Sequence, residues 1–494
     1  MIGPEIRSEN DIELRIAEPL WDEVRGHALG DEERGLRPGA GVLYCGVAQS
    51  PLVTRLLARE FVRAVDGVDY VPSEVGHGAL TAGFTLDAAL RAEQTGLVPL
   101  FVHGHGGVDT VAFSGIDLAS HARGYPSLVK NAGGPVGGLV VAEQAVDVDL
   151  CLLGGGWNRS QRAVVVGQNA VRLGPLTPAT PSRAADRHAG LFGKAGLEIL
   201  STSKVTVVGA GGVGMLVIQW LVMLGVGQLV VVDPGRVKEE NRARLPGATK
   251  NDARGGERRL RGPEWLLRTA RLVGTPKVRL AARIARAAAM GTKVVTVCAS
   301  VSDPVALAHL KDSDLIVLAA DSDSARYAVN LVAHQYLVPA VQAGSRVQLR
   351  NDGSIADVFA VVRPVLPEGG CLRCAGVYSA VGVAYETHAG IEGRRHDYGT
   401  GEPAPSVAAV NAVAASHAAV FVQFYLTGLR RASTADNLFF HLMDDISAVG
   451  KSLREANCPT CGSAGVVGWG DLKVLGVPTS TPPQGAGRRR RRGP

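Results

Sequence analysis

Two groups of residues in this 494-residue chain point to phosphate chemistry. Gly209-Ala210-Gly211-Gly212-Val213-Gly214 follows an apolar run, and Asp233 closes the next such run, 19 residues beyond Gly214. Glycines at that spacing let the backbone turn tightly and bring amide N–H groups and a helix N-terminus against phosphate, while the acid takes ribose hydroxyls. By itself this reads as a nucleotide site, with a nicotinamide dehydrogenase and an ATP-using enzyme both open. The second group consists of Asn241, Arg244, Lys277 within Gly274-Thr275-Pro276-Lys277-Val278, and Asp321 at the end of an apolar run. Cations offset charge growing on an attacked α-phosphate and a carboxylate holds Mg²⁺; hydride transfer needs neither.

Two further groups have metal-ligand spacing. Cys371-Leu-Arg-Cys374 and Cys458-Pro-Thr-Cys461 are spaced as two knuckles completing a tetrahedral zinc site, with no position left open for catalysis. The chain has seven cysteines and no export signal, which argues against a disulfide framework. Cys298 falls in an expected strand and reads as a buried small hydrophobe. In His103-Gly-His105-Gly106, followed by Ser114-Gly-Ile-Asp117, two imidazoles alternate on a strand end and share a face, where a carboxylate from the next helix can join them around a metal. His-x-His alone fits solvated loop histidines equally well.

The elements that must position these groups follow from the patterning. Strands are expected at residues 41–47, 98–103, 138–141 and 163–166, then a linker, then strand, glycine loop, helix and strand over Val205–Asp233. A basic helix near Pro276–Met290 and strands at Val294–Cys298 and Leu315–Ala319 follow. Strands alternating with helices imply an α/β fold, a doubly wound Rossmann-like, mostly parallel sheet, preceded by a smaller α/β domain. The expected boundaries are 1–168 and 186–476, with a linker at 169–185 and a disordered tail at 477–494. Val205–Val232 runs 28 residues without a charge, long enough for a bilayer, but six glycines divide it into strand, loop, helix and strand, so no membrane span is expected.

The chain carries 52 Lys+Arg against 46 Asp+Glu, with a pI near 9.0. Five of those arginines are the run Arg488–Arg492, and eleven basic residues face three acidic ones between Lys250 and Arg286. The rest is net negative, so no nucleic-acid face is expected. The basic stretch reads as a solvated surface or as a docking surface for an acidic partner. A composition of 46% hydrophobic and 20% charged residues excludes disorder for most of the chain, and the charge-dotted opening 1–29 makes a cytoplasmic protein the default.

Together the phosphate and cysteine motifs resemble the ThiF/MoeB/HesA family, relatives of ubiquitin-activating enzymes, over about residues 186–476. The resemblance implies an adenylyltransferase using ATP and Mg²⁺. It places the nucleotide on Gly209, Gly211, Gly212, Gly214 and Asp233, phosphate and metal-site contacts on Asn241 and Arg244 (within Glu240-Asn241-Arg242-Ala243-Arg244), a phosphate role on Lys277, and Mg²⁺ placement on Asp321, with Arg326 matching a downstream arginine. Arg187, in Ala184-Ala185-Asp186-Arg187-His188, matches an arginine that reaches the partner subunit's ATP, which implies a homodimer. The resemblance also implies structural Zn²⁺ on Cys371, Cys374, Cys458 and Cys461. Thioester- or persulfide-forming members place a cysteine between the knuckles; Ala375–Asn457 has none, so adenylation without a cysteine relay is expected.

The His103–Asp117 string resembles the JAMM/MPN⁺ metallopeptidase motif, with Gly106 in place of its proline. This implies Zn²⁺ on His103, His105 and Asp117, an oxyanion hydrogen bond from Ser114, and a glutamate base. That base is not in the expected place; Glu33 is the nearest candidate, beside Asp31 and Glu32, with Glu74 a third. The whole then reads as an enzyme that adenylates the C-terminal Gly-Gly carboxylate of a small ubiquitin-like or sulfur-carrier protein, joined to a zinc peptidase acting on the same tail. The alternatives are activation of a peptide or small carboxylate for natural-product or cofactor synthesis, and a degenerate JAMM module that binds ubiquitin-like proteins.

Overall fold

The computed structural model describes residues 6, 10–30, 37–51, 53–71, 79–174, 186–254, 274–367, 369–389, 405–431 and 437–478. In the first half these form β1 (Asp11–Ala17), α1 (Glu18–Leu29), β2 (Gly41–Gln49), β3 (Val53–Arg63), α2 (Ala82–Thr95), β4 (Val98–Gly104), α3 (Gly115–Ala132), β5 (Val136–Val141), β6 (Val146–Cys151), β7 (Trp157–Ser160), β8 (Ala163–Val166) and β9 (Ala170–Leu173). The strands make one mixed sheet in the order β7-β6-β5-β4-β2-β3-β1-β8-β9. Trp21, Val24 and Ala28 of α1 fill one face, and Ala88, Ala89, Tyr125 and Val129 of α2 and α3 the other.

The second half adds α4 (Asp186–Thr202), β10 (Lys204–Val208), α5 (Gly212–Leu224), β11 (Gln228–Val232), α6 (Lys250–Arg254), α7 (Lys277–Ala288), β12 (Lys293–Val297), α8 (Pro304–Lys311), β13 (Leu315–Leu318), α9 (Asp323–Gln335), β14 (Ala340–Leu349), β15 (Ile355–Val365), α10 (Ala380–Ala389), α11 (Ala408–Leu426), β16 (Asn437–His441) and β17 (Ile446–Gly450). Its sheet runs β12-β11-β10-β13-β14-β15-β16-β17, parallel from β12 to β14 and antiparallel thereafter. The buried strands are β-branched runs such as Val205–Val208, as a sheet covered on both faces requires. Helices α5, α7 and α11 cover one face, α8 and α9 the other. Helix α11 is long and apolar enough to cross a membrane, yet here it packs on α5 and β14.

Two expected boundaries are corrected. The first sheet continues through β9, which pairs antiparallel with β8, so the segment from residue 169 opens with a strand rather than a linker. After the last cysteine, residues 466–477 cross back to the first half. Gly470 bridges Val47, the Arg59 and Lys473 cations lie 4.1 and 4.2 Å from the centre of the Trp469 ring, and Val477 is buried. The remainder of the expected linker and of the tail lies outside the described residues, as does most of the basic stretch after Arg254.

The halves also meet through a buried ionic cluster. Glu13 takes hydrogen bonds from Arg15 and Arg55, both at 2.9 Å; Arg15 continues to Asp314 and the Ser313 carbonyl, Arg55 to the Lys311 and Asp312 carbonyls. Burial raises the Glu13 carboxyl pKa, but the two guanidiniums outweigh it and hold the group well below the usual range.

Candidate functional site

The glycine loop lies where β10 hands over to α5, at the end of the parallel strands where open α/β sheets receive ligands. Gly209 has φ +97°, and a Cβ there would come within 2.9 Å of the Ala319–Ala320 backbone, so only glycine fits. Gly211 caps α5 without a side chain, which leaves the first-turn amides facing outward as an anion site. Gly214 packs against the Gly209 carbonyl, letting helix and strand approach.

Asp233 ties the loop together: its two oxygens accept from the Ala210 amide at 2.7 Å and the Gly235 amide at 2.6 Å, with Lys277 Nζ at 3.9 Å. A carboxylate has about four acceptor sites, so ribose hydroxyls still have room. Asn241 is buried, its side-chain oxygen accepting the Lys238 amide at 3.1 Å. Arg244 is half-buried, and its stem runs past Gly212, where a Cβ would lie 3.5 Å from its Cδ. Asp321 is exposed directly before Ser322, the N-cap of α9. Glycine loop, Asp233, Lys277, Asn241, Arg244 and Asp321 thus gather at one end of one sheet.

Arg187 is placed elsewhere. It lines a groove of about 300 Å³ with His188, Leu191, Trp220 and Met223. That groove lies two turns or more along α5 from Gly212, so the structure does not bring Arg187 to the glycine loop of its own chain.

Three residues around this mouth escape motif reading. Asn411 of α11 stands over Gly212, taking a 2.6 Å hydrogen bond from Ser345 and donating to Ser406. Glu386 of α10 accepts the Asp323 and Ser324 amides at 3.0 and 2.9 Å, capping α9 just after Asp321. Arg363 of β15 donates to Gln342 Oε1 at 2.8 Å.

The four cysteines converge as their spacing implies. Cys371 Sγ lies 3.5 Å from Cys374 and 3.7 Å from Cys458, and Cys374 lies 3.6 Å from Cys461. A tetrahedral site with Zn–S near 2.3 Å has sulfur–sulfur edges of about 3.8 Å, so the set fits zinc. Cys298 departs from expectation. Strand β12 is the sheet edge and ends at Val297, leaving the thiol exposed.

In the first half, β4 and α3 bring His103, His105 and Asp117 together, with ligand atoms all within 4.8 Å. His105 Nδ1 rests on the Ala112 carbonyl at 3.1 Å, which leaves Nε2 as the lone-pair nitrogen facing Asp117 at 3.4 Å. His103 Nε2 is 3.5 Å from Asp117 and buried without a hydrogen-bond partner among the described residues, and burial pushes its imidazole pKa down. A neutral imidazole with an orphaned nitrogen is what a metal ligand set provides. Ser114 is committed locally: its hydroxyl donates to Asp117 at 2.6 Å and its oxygen accepts the Asp117 amide, a capping box opening α3. Glu33 and Glu74, the candidate bases, lie outside the described residues.

The SAMP-activating enzyme E1 of Haloferax volcanii is 31% identical over 182 residues, covering 37% of this chain and 56% of that protein. The sulfur carrier protein adenylyltransferase of Thermus thermophilus is 34% identical over 138 residues, covering 28% and 44%. The adenylyltransferase and sulfurtransferase MOCS3 of Arabidopsis thaliana is 28% identical over 191 residues, covering 37% and 36%. The chain spans about half the length, or less, of these curated relatives. The model of the ThiF family matches residues 185–461, more than half of the sequence and the whole of the glycine-loop and cysteine machinery, and the chain belongs to that family.

Proposed function

We propose that this chain adenylates the C-terminal carboxylate of a small ubiquitin-like or sulfur-carrier protein ending in Gly-Gly. The observation that carries the reading is the gathering of a helix N-terminus without a side-chain cap, two cations and an exposed carboxylate at one end of the parallel strands. The relatives named above as activating a SAMP and adenylating a sulfur carrier protein support it. A carboxylate oxygen of the carrier attacks the α-phosphorus of ATP, the bond to pyrophosphate breaks, and an acyl-adenylate forms. The α5 amides orient phosphate; Arg244 and Lys277 offset charge growing on it. Asp321 would hold Mg²⁺, which supplies Lewis-acid stabilisation to the phosphates when bound. Asp233 receives the ribose, Asn241 fixes the turn that carries Arg244, and Arg187 serves the ATP site of the other subunit of a homodimer.

The four cysteines would hold structural Zn²⁺. His103, His105 and Asp117 would hold a second Zn²⁺ in a JAMM-like domain that meets the same Gly-Gly tail. Because Ser114 is engaged with Asp117, a tail-binding module without hydrolysis is the second reading for that domain. ATP–pyrophosphate exchange tests the main reading. Exchange should require a carrier ending in Gly-Gly and fall at least 100-fold in Asp321→Ala; exchange indifferent to the carrier, or retained in the variant, would overturn it.

A further inference from the structure

A single row of backbone partners runs sideways from the nucleotide end of the second sheet. Val208 stands opposite Leu318, Leu318 opposite Gln342, and Gln342 opposite Arg363. The row begins at the strand that feeds Gly209 and passes the strand that feeds Asp321. Gln342 and Arg363 therefore lie level with the mouth where an open α/β sheet takes its ligand.

Among the described residues the fold uses only part of what the Arg363 guanidinium can donate. Its guanidinium gives one hydrogen bond to the neutral Gln342 amide and lies 5.1 Å over the Phe439 ring. Among the described residues no carboxylate pairs with it. Arg326 of α9 faces the same region. It gives Nη1 to Asp323 and to the Val377 carbonyl, each at 3.2 Å, while its buried Nε has no partner among the described residues. Burial, then the charge of Arg326, hold the Arg363 pKa down to about 10, so it remains a cation at neutral pH. A half-buried cation placed beside another, with spare donors, costs stability unless an anion arrives to offset it.

The length of the row fixes where that anion would sit on a substrate. Strands lie about 4.8 Å apart, so Arg363 is roughly 10 Å along the row from Leu318, whose strand leads to Asp321. An extended chain advances about 3.3 Å per residue, which makes that gap about three residues. In a tail whose last two residues are glycine, the third from the end is the first with a side chain to offer.

We propose that Arg363, steadied by Gln342 and flanked by Arg326, receives an acidic side chain of the acyl substrate about three residues before the carboxylate that is adenylated. This rests on the adenylation reading and deepens it to a substrate class: Gly-Gly tails carrying Asp or Glu at that position.

The test uses the full-length protein with synthetic decapeptides ending Gly-Gly that carry Asp, Glu, Asn or Gln at the third position from the end. Binding is read by fluorescence anisotropy with a non-hydrolysable ATP analogue present, and turnover by ATP–pyrophosphate exchange. The wild type should favour acid over amide by roughly 10-fold or more, the worth of a hydrogen bond to a charged partner. Arg363→Met should bring that preference within twofold and leave the KM for ATP unchanged, with Arg363→Lys recovering part of it. Melting temperature and zinc content matching the wild type certify the variants' folds. Equal binding of acid and amide peptides by the wild type, no binding up to millimolar concentration, or an Arg363→Met defect expressed as a higher KM for ATP would each overturn the proposal. Acid-selective binding without any pyrophosphate exchange would support the tail site and sink the adenylation reading instead.

Discussion

The four-cysteine cluster and the His103–His105–Asp117 cluster are built in opposite ways. Cys371, Cys458 and Cys461 are at most 2% exposed, and their four sulfurs form a closed set with sulfur–sulfur edges near the ideal for zinc. The side chains of His103, His105 and Asp117 are 30, 31 and 22% exposed, and three donors leave at least one coordination position open. Closed thiolate sites belong to folding, whereas open imidazole and carboxylate sites exchange ligands and can do chemistry. The clusters also differ in what they hold. Residues 462–477 lead from Cys461 straight into the contact with the first half: the Asp471 amide donates to the Val47 carbonyl at 2.7 Å, the Asp471 carboxylate accepts the Gln49 amide at 2.9 Å, and Arg59 donates to the Val467 carbonyl. The histidine cluster joins only β4 to the start of α3.

That contrast predicts a large effect at one site and a small one at the other. Cys458→Ser should cost one equivalent of tightly bound zinc and several kcal/mol of stability, lowering the melting temperature by about 10 °C or more. It should also speed proteolysis between the halves as the strap loosens. A variant melting within about 2 °C of the wild type would remove the distinction between the clusters.

An intermediate effect is expected at Glu13, which bears on the same inter-half contact without touching either cluster. Glu13→Gln leaves Arg15 and Arg55 buried with no central anion, a loss of about 3–5 kcal/mol, while zinc content stays unchanged. The folded-state pKa of Glu13 lies well below 4.5, so its contribution is fully present above pH 4.5 and is lost as pH falls from there toward the folded value. Thermal melts of the wild type and Glu13→Gln should run parallel from pH 8 to 5 and converge below pH 4.5. Parallel curves throughout would mean that Glu13 is not the anion that holds the halves together.

The same residues show what could be read from the chain alone. The strand-loop-helix-strand unit at Val205–Asp233 is legible because a parallel strand buried on both faces writes itself as an unbroken β-branched run. Strands β1 and β3 are not, because Glu13, Arg15, Arg55 and Arg59 look like solvent-facing charges. The three arginines instead meet the second half, a partner that no local pattern announces, and Glu13 holds two of them in place. The glycine loop and the cysteine pairs are local in sequence and so are visible. Asn411, Gln342 and Arg363 reach the mouth only through helix packing and strand register, so spacing carries no trace of them. Cys298 reads as buried because a Val-rich strand suggests a core, and only the sheet order reveals that this strand is the edge.

The smallest effect on stability should come from His103→Ala, and it tests the open cluster most sharply. His103 Nε2 is buried without a hydrogen-bond partner among the described residues, a cost of about 1–3 kcal/mol that the wild type bears when no metal is bound. Removing the ring removes that cost along with some packing on Phe113, whose ring centre lies 5.9 Å away. Metal-stripped variant and wild type should therefore melt within about 2 °C of each other. Zinc at 100 times its dissociation constant should then stabilise the wild type by about 2.7 kcal/mol and leave the variant unmoved. The comparison has to be made after a mild chelator has cleared the open site while the closed cysteine site keeps its metal. If zinc raises both melting temperatures equally, the histidine cluster is not the site that responds, and its geometry is a packing arrangement around Phe113.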